Sequence, residues 1–226
     1  MYAIKQVRKN PLKPRSFDIT FADRYSICVI NADKFISESK PDKIANYFYN
    51  DTYYIDQNAC TSPHLINWVG TNISIKNSKN IFWECVSSLV TDNYELQPVS
   101  AINKISTFYE HAIRSNGLKL ENNKDNLIYR AKLKSLEKDI TTFRCDSGYF
   151  TEYDSKSLTD LSKIINNKYQ TLSYYGFEKD DFYKFINDLK PCGIDRIVPI
   201  GRTMDFSLTW DGYNLIDTLS RNIEVL

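Results

Sequence analysis

The sequence predicts an α/β protein whose strands pair in parallel, and three observations carry that expectation. From about Thr142 onward, strand-like and helix-like stretches alternate, the pattern of parallel strands joined by crossover helices. A β-branched run, Tyr25-Ser-Ile-Cys-Val-Ile30, stands ahead of a helical stretch in the first half. The 226 residues are 42% hydrophobic and 14% aromatic, enough to bury a sizeable core.

Taken in order, the chain opens on a short helical piece and the connector Asn10-Pro-Leu-Lys-Pro-Arg15, whose two prolines cannot continue a helix. The strand at Tyr25 ends at Asn31, and Lys40 to Tyr49 reads as a short helix. A helix over Asn77 to Ser88 places Ile81, Phe82, Cys85 and Val86 at helical spacing. Ser100 to Ser115 carries Ile102, Ile105, Phe108, Tyr109 and Ala112 as a stripe expected to face the core, with Asn116-Gly117 as its stop signal. Next come a strand at Tyr149 to Tyr153, a helix at Ser157 to Asn166, a strand at Gln170 to Tyr175, a helix at Lys179 to Leu189 and a strand at Arg196 to Ile200. No internal repeat or low-complexity segment is present. The seven glycines form neither Gly-x-Gly-x-x-Gly nor a phosphate loop, so no dinucleotide fingerprint is carried.

Charge and cysteine usage narrow the function. Against 28 acidic residues stand 29 basic ones, neither sign in long blocks, so neither a nucleic acid nor a membrane surface is indicated as partner. No apolar run approaches the roughly 20 residues of a membrane span, and Met1 to Asn10 lacks a signal-peptide core. The expected location is the cytoplasm. Cys28, Cys60, Cys85, Cys145 and Cys192 are odd in number with no Cys-x-x-Cys, which points to free thiols rather than a disulfide framework or a metal centre.

One cysteine stands apart. In Tyr54-Ile-Asp-Gln-Asn-Ala-Cys-Thr-Ser-Pro-His-Leu-Ile-Asn-Trp-Val-Gly70, Ser62-Pro63 reads as a helix start, with serine as cap and proline in the first turn. Cys60 would then lie just before a helix N-terminus, where free N–H groups and the dipole favour the thiolate and can hold an oxyanion. The other four cysteines lie in apolar runs or featureless loops. His64 follows one turn later and faces Cys60 as a thiolate partner or acid/base group; a capping or surface role is the alternative. His111 reads as structural.

Asp56-Gln57-x-Ala59-Cys60-x-Ser62-Pro63 resembles the nucleophile motif of the LuxC-type acyl-CoA reductases, within the aldehyde dehydrogenase superfamily. Three further blocks agree in order: Phe21-Ala-Asp-Arg-Tyr-Ser26, Gln170-Thr-Leu-Ser-Tyr-Tyr-Gly176, and Gly193-Ile-Asp-Arg-Ile-Val-Pro-Ile-Gly-Arg202 followed by Trp210-Asp-Gly-Tyr213. The resemblance implies an aldehyde dehydrogenase-like catalytic domain of parallel α/β layers, with Cys60 at a strand-loop-helix junction and most of the N-terminal cofactor-binding domain missing. Residues 1–35 would be a remnant of that domain, 36–206 the catalytic domain, and 207–226 a C-terminal segment available for oligomer contacts.

The implied chemistry has Cys60 attack the thioester of an acyl-CoA or acyl carrier protein, and NADPH reduce the acyl-enzyme to an aldehyde. Oxyanion and loop support fall to Thr61, Gln57 and Asp56, and no metal is needed. The resemblance also implies an upstream chain carrying the cofactor domain, and a homo-oligomer. Two features depart from the family pattern. The asparagine that aldehyde dehydrogenases lend to the oxyanion hole would lie in the absent part, and no glutamate occupies Ile19 to Asp23, where their general base should align. A reductase that releases CoA needs no such base. Two other readings stand beside this one: a cysteine thioesterase or acyltransferase using His64, and a catalytically inactive remnant.

Overall fold

The computed structural model describes every residue except Met1, Ala22, Asn116, Asn122 to Lys124 and Asp139, and the side chains of Tyr2 and Ala3. Asn116 of the expected helix stop and Ala22 of the Phe21 to Ser26 block therefore lie outside the described residues. In chain order the elements begin α1 (Tyr2–Val7), β1 (Tyr25–Asn31), α2 (Ala32–Phe35), α3 (Pro41–Thr52), β2 (Pro63–Val69), α4 (Asn72–Asn93) and α5 (Pro98–Arg114). They continue with β3 (Lys119–Leu120), β4 (Tyr129–Lys132), β5 (Tyr149–Ser155), β6 (Tyr169–Tyr175), α6 (Lys179–Leu189), β7 (Arg196–Pro199), the hairpin β8 (Thr209–Trp210) and β9 (Tyr213–Asn214), and α7 (Leu215–Leu219).

Among the described residues the main sheet has the order β3-β4-β5-β2-β1-β6-β7, parallel throughout except for β3 on β4. Residues 25–31, which the sequence groups with segment 1–35, form the inner strand β1 between β2 and β6. Both faces are covered, so the inner strands read as apolar runs rather than as alternations. Cys28 and Ile30 of β1, with Ile66 and Trp68 of β2, pack beneath α2, α3 and α4 against Phe35, Phe48, Phe82 and Val86. Ile27, Val29 and Leu65 face the other side, under the 3₁₀ stretch Leu158–Lys163 and Phe182 and Phe185 of α6.

This burial explains why Ser62-Pro63 opens a strand and not the expected helix. Pro-His-Leu-Ile-Asn-Trp-Val is buried along its whole length and stops at Gly70, and proline is acceptable as the first residue of a strand. The run is too short and too uniformly apolar for a surface helix. Three further expectations are corrected. The helix of residues 77–88 extends to Asn72–Asn93, capped by Thr71, whose Oγ1 accepts from the Ser74 N–H at 3.2 Å. Residues 157–166 hold a 3₁₀ helix. In α5 the periodicity is helical, but most of the stripe faces outward: Ile102 (64% exposed), Ile105 (37%) and Tyr109 (62%) meet solvent, while Lys104 and His111 are buried. Phe108 of the stripe packs inward, on Tyr129.

A charged network is sealed into the sheet. Glu152 of β5 has no exposed surface and accepts both indole N–H groups, from Trp68 (2.9 Å) and Trp83 (2.8 Å), on Oε1. Arg130 of β4 donates twice to Oε2, at 3.1 and 2.8 Å, with its guanidinium over the Trp83 ring. Burial alone would push the Glu152 carboxyl up; the charges of Lys79 and Arg130 and the hydrogen bonds from Trp83 and Arg130 outweigh it and hold the group below its ordinary range.

Removing one member of such a set strands the others in a dry interior. Glu152→Gln should lower unfolding stability by about 3–5 kcal/mol in urea titrations, because it leaves the Arg130 guanidinium without its carboxylate, while Lys79 keeps Asp154 at 2.6 Å. A second expectation concerns pH. Burial lowers His111, stacked on Phe143 at 4.1 Å, to about 4, and lowers His64 to about 3. Both are depressed below the unfolded value, so their contribution is present above pH 6.5 and is lost as pH falls toward 4 and 3. Stability should drop by about 1.4 kcal/mol per pH unit for each proton taken up on unfolding. Urea titrations between pH 6.5 and 5 should show His111→Leu removing one such proton from the slope.

Candidate functional site

The loop that carries Cys60 runs from the end of α3 to the start of β2. After the 3₁₀ turn Tyr53–Ile55, Asp56 and Gln57 both adopt left-handed backbone angles, φ 51° and 57°, which turn the chain back toward the sheet. Two successive non-glycine residues in this region cost about 1–2 kcal/mol each, so something must hold them. The Gln57 side chain does so. Its amide N–H₂ donates to the Pro63 and Tyr149 carbonyls at 2.9 and 3.0 Å, and its Oε1 accepts the N–H groups of Gly148 and Tyr149 at 3.0 and 3.1 Å. Gly148 must lack a side chain here, since a Cβ would run into the Tyr53 hydroxyl and the Leu127 carbonyl.

Further bonds pin the loop on either side of the thiol. Ser26 Oγ donates to the Cys60 carbonyl at 2.6 Å, Ser62 Oγ to the Asp51 carbonyl at 2.8 Å, and Thr61 Oγ1 reaches Met204 Sδ at 3.4 Å. Asp51 is buried, and its carboxylate accepts the N–H groups of Gly201 and Thr203 at 2.6 and 3.2 Å. Desolvation raises it to about 6 against those bonds. Asp56 itself is exposed and takes the Tyr94 hydroxyl at 2.7 Å on Oδ1.

Cys60 is half-exposed and opens into a cavity of about 510 Å³. Gln57, His64, Arg144 and Cys145 line it from the sheet side, and Asn103, Thr107 and Glu110 from α5. With no helix after Cys60, the helix-dipole support expected from Ser62-Pro63 is absent. The charged side chains of the cavity are Asp23, Arg24, Glu110, Arg144 and Asp146. Arg196 lies near enough to Cys60 for their charges to interact; burial weakens the hold of its guanidinium on the proton, while Asp205, Asp51 and Cys60 strengthen it.

His64 shares the cavity but not in the expected way. It is the second residue of β2, 8% exposed, with its ring stacked on Tyr25 at 5.6 Å and Nδ1 without a partner. Lowered to about 3 by burial and the Arg144 charge, it is neutral at neutral pH and a weak base, suited to hydrogen bonding rather than to abstracting a thiol proton. His111 packs beneath α5 away from the lining.

The blocks that carried the family resemblance converge at the N-terminal ends of β1, β6 and β7. Arg24 pairs with Asp195 and Asp211 and donates to the carbonyls of Asn167 and Tyr169. Gln170 Nε2 donates to Asp211 Oδ1 at 2.8 Å, and Arg196 lies over the Trp210 ring at 4.7 Å. Asp211-Gly212 is the turn of the β8–β9 hairpin, with both residues at positive φ. Arg144, Cys145, Asp146 and Glu110 were not singled out by the sequence, because they come from an irregular stretch and from a helix face masked by the apolar stripe beside it.

In a doubly wound sheet a dinucleotide lies at the C-terminal strand ends, where the connections change face. Between β1 and β6 the backbone there is closely packed: a Cβ on Gly176 would stand 2.9 Å from Lys34 Cβ and 3.0 Å from Asn31 Cβ. The nearby N-terminus of α4 already faces a carboxylate, with the Thr71 N–H directed at Asp33 Oδ1, 3.4 Å away. Among the described residues no group of three or more His, Cys, Asp or Glu is placed to hold a metal ion, and no helix is long and apolar enough to cross a membrane.

No protein-family model matches the sequence, and no curated protein matches it. Solved structures do match by shape. Aldehyde dehydrogenase 21 from Physcomitrella patens, in complex with the product succinate, superposes with TM-score 0.52 at 13% identity, over 77% of this chain and 38% of its own. The Δ-pyrroline-5-carboxylate dehydrogenase from Mycobacterium tuberculosis, bound with NAD and cobalamin, gives 0.51 at 6% identity, over 77% and 35%. The 1-pyrroline-5-carboxylate dehydrogenase from Thermus with bound NAD gives 0.50 at 8% identity, over 83% and 37%. The chain thus spans between 35% and 39% of the length of the dehydrogenases it matches. In fold, it is built as the catalytic domain of an aldehyde dehydrogenase is built.

Proposed function

We propose that this chain carries the acyl-transfer part of an acyl-thioester reductase, taking an acyl group from acyl-CoA or an acyl carrier protein onto Cys60. The observation that carries the reading is the half-exposed thiol on a loop fixed by four hydrogen bonds from one side chain, open to a cavity. The Cys60 thiolate adds to the thioester carbonyl, the backbone N–H groups of Cys60 and Thr61 receive the oxyanion, and collapse expels the carrier thiolate, which takes up a proton. No electrons change hands in this step. Reduction of the acyl-enzyme to an aldehyde is the work of a nicotinamide cofactor, NADPH in the family resembled, and its binding site belongs to other residues than these.

An upstream cofactor-domain chain, or a second copy of this one, would then have to cover the cavity. The outward apolar stripe of α5 beside the cavity, and the exposed Leu208, Leu219 and Ile223 of the C-terminal segment, are surfaces suited to such contacts. A cytoplasmic location follows from the same reading. A second reading, hydrolysis of the acyl-enzyme, is favoured by Glu110, which faces the cavity and can activate water although residues 19–23 hold no glutamate.

Intact-protein mass spectrometry after incubation with a panel of acyl-CoAs, without NADPH, tests both. A stable adduct on the parent that is missing from Cys60→Ala supports the reductase reading and names the preferred chain. An adduct that decays and is prolonged by Glu110→Gln moves the assignment to hydrolysis, and no adduct with any donor rejects both. Gln57→Ala should slow acylation by about 100-fold when assayed at a temperature where circular dichroism shows the variant still folded, since it frees the nucleophile loop without touching the thiol, and its melting temperature should fall because four buried backbone groups lose their partner.

A further inference from the structure

A second concave surface, of about 680 Å³, shares no lining residue with the Cys60 cavity. It lies between α3, the turn after it and the C-terminal end of α4. Tyr49, Tyr53, Tyr54 and Tyr94 form its aromatic lining, and Asp56 and Glu95 supply carboxylates. Tyr49 stacks on Tyr53 at 5.5 Å, with ring planes 12° apart, and Tyr94 meets Tyr53 edge-on at 5.0 Å. Tyr54 is 77% exposed, a large ring held at the rim of a concave surface.

The electrostatics have one sign. No lysine, arginine or histidine lines the surface. The 22-residue α4 ends there without a basic residue in its last turn, so its terminal carbonyls add the negative end of a helix dipole to the two carboxylates. Phosphate-bearing groups are repelled from such a place. Aromatic faces, carboxylates and a helix C-terminus together are the chemistry that holds an organic ammonium ion, through cation–π contact and charge. Three asparagine amides between the rings supply acceptors for its N–H groups.

We propose that this tyrosine-lined surface is a binding site for an organic ammonium ligand, a polyamine or a methylated ammonium, separate from the acyl chemistry at Cys60. Isothermal titration calorimetry on the full chain tests it, with spermidine, tetramethylammonium and, as a neutral control, glucose. At least one of the two cations should bind saturably with a Kd of about 0.1–1 mM, weaker at high salt. Tyr54→Ala and Glu95→Gln, both at exposed positions, should each weaken it about three-fold or more with the melting temperature unchanged. Binding in Cys60→Ala should match the parent, so this proposal and the acyl-transfer reading fail separately. No saturable uptake of either cation up to about 10 mM, glucose binding as tightly as the cations, or undiminished affinity in either variant would overturn it.

Discussion

The side-chain amide of Gln57 ties the nucleophile loop to the entries of two paired strands, β2 and β5. It satisfies two carbonyls and two N–H groups, from the first residue of β2 and from the Gly148-Tyr149 entry to β5. No other neutral side chain of that length offers two donors and two acceptor lone pairs in one plane. A leucine of similar size would leave four buried backbone groups unpaired, each costing about 1–3 kcal/mol. The left-handed turn at Asp56-Gln57 and the placement of Cys60 are held by that amide. Cys60 thereby owes its position to a neighbour that makes no claim on its sulfur.

The second constraint is burial of the sheet on both faces. It buries β1, β2 and the first five residues of β6 almost completely, polar residues such as Ser26, Asn67, Gln170 and Ser173 included. Glu152 shows the limit of what such an interior accepts: a carboxylate survives there because two indoles and a guanidinium converge on it. Arg24 does similar work at the N-terminal strand ends, tying β1 to the turns before β7 and between β8 and β9. Motif blocks nearly 190 residues apart in sequence are neighbours in space on account of it.

This physics decides what could be read from the sequence. Strands β1, β5, β6 and β7 and helices α3 and α6 were legible, because their signals are local: β-branched runs, alternation and polar stops. β2 was misread since Ser-Pro is a genuine helix start in other settings, and only the central place of the strand in the sheet accounts for its burial from end to end, His64 and Asn67 included. In α5 the period was right and the direction wrong; a lysine that reaches backbone carbonyls of Leu127 and Ser147 is buried in place of the isoleucines. The thiol and Gln57 stood out by residue type, whereas Arg144, Cys145 and Glu110 reach the cavity through tertiary packing that no local pattern encodes.

The position of the thiol limits how the reaction can be completed. Ligands of open α/β sheets sit outside the carboxyl ends of the strands, yet Cys60 opens at the opposite, N-terminal end. On the proposed reading, a cofactor that acts on Cys60 would approach across the mouth of the cavity. One wall of that mouth is α5, polar where it faces the cavity and apolar where it faces away. A body seated there would cover the isoleucine and tyrosine stripe and shut water out of the cavity in one movement. The proposed acyl-enzyme would need that exclusion of water while it awaits hydride, since a carboxylate open to the cavity could otherwise serve as a base for hydrolysis.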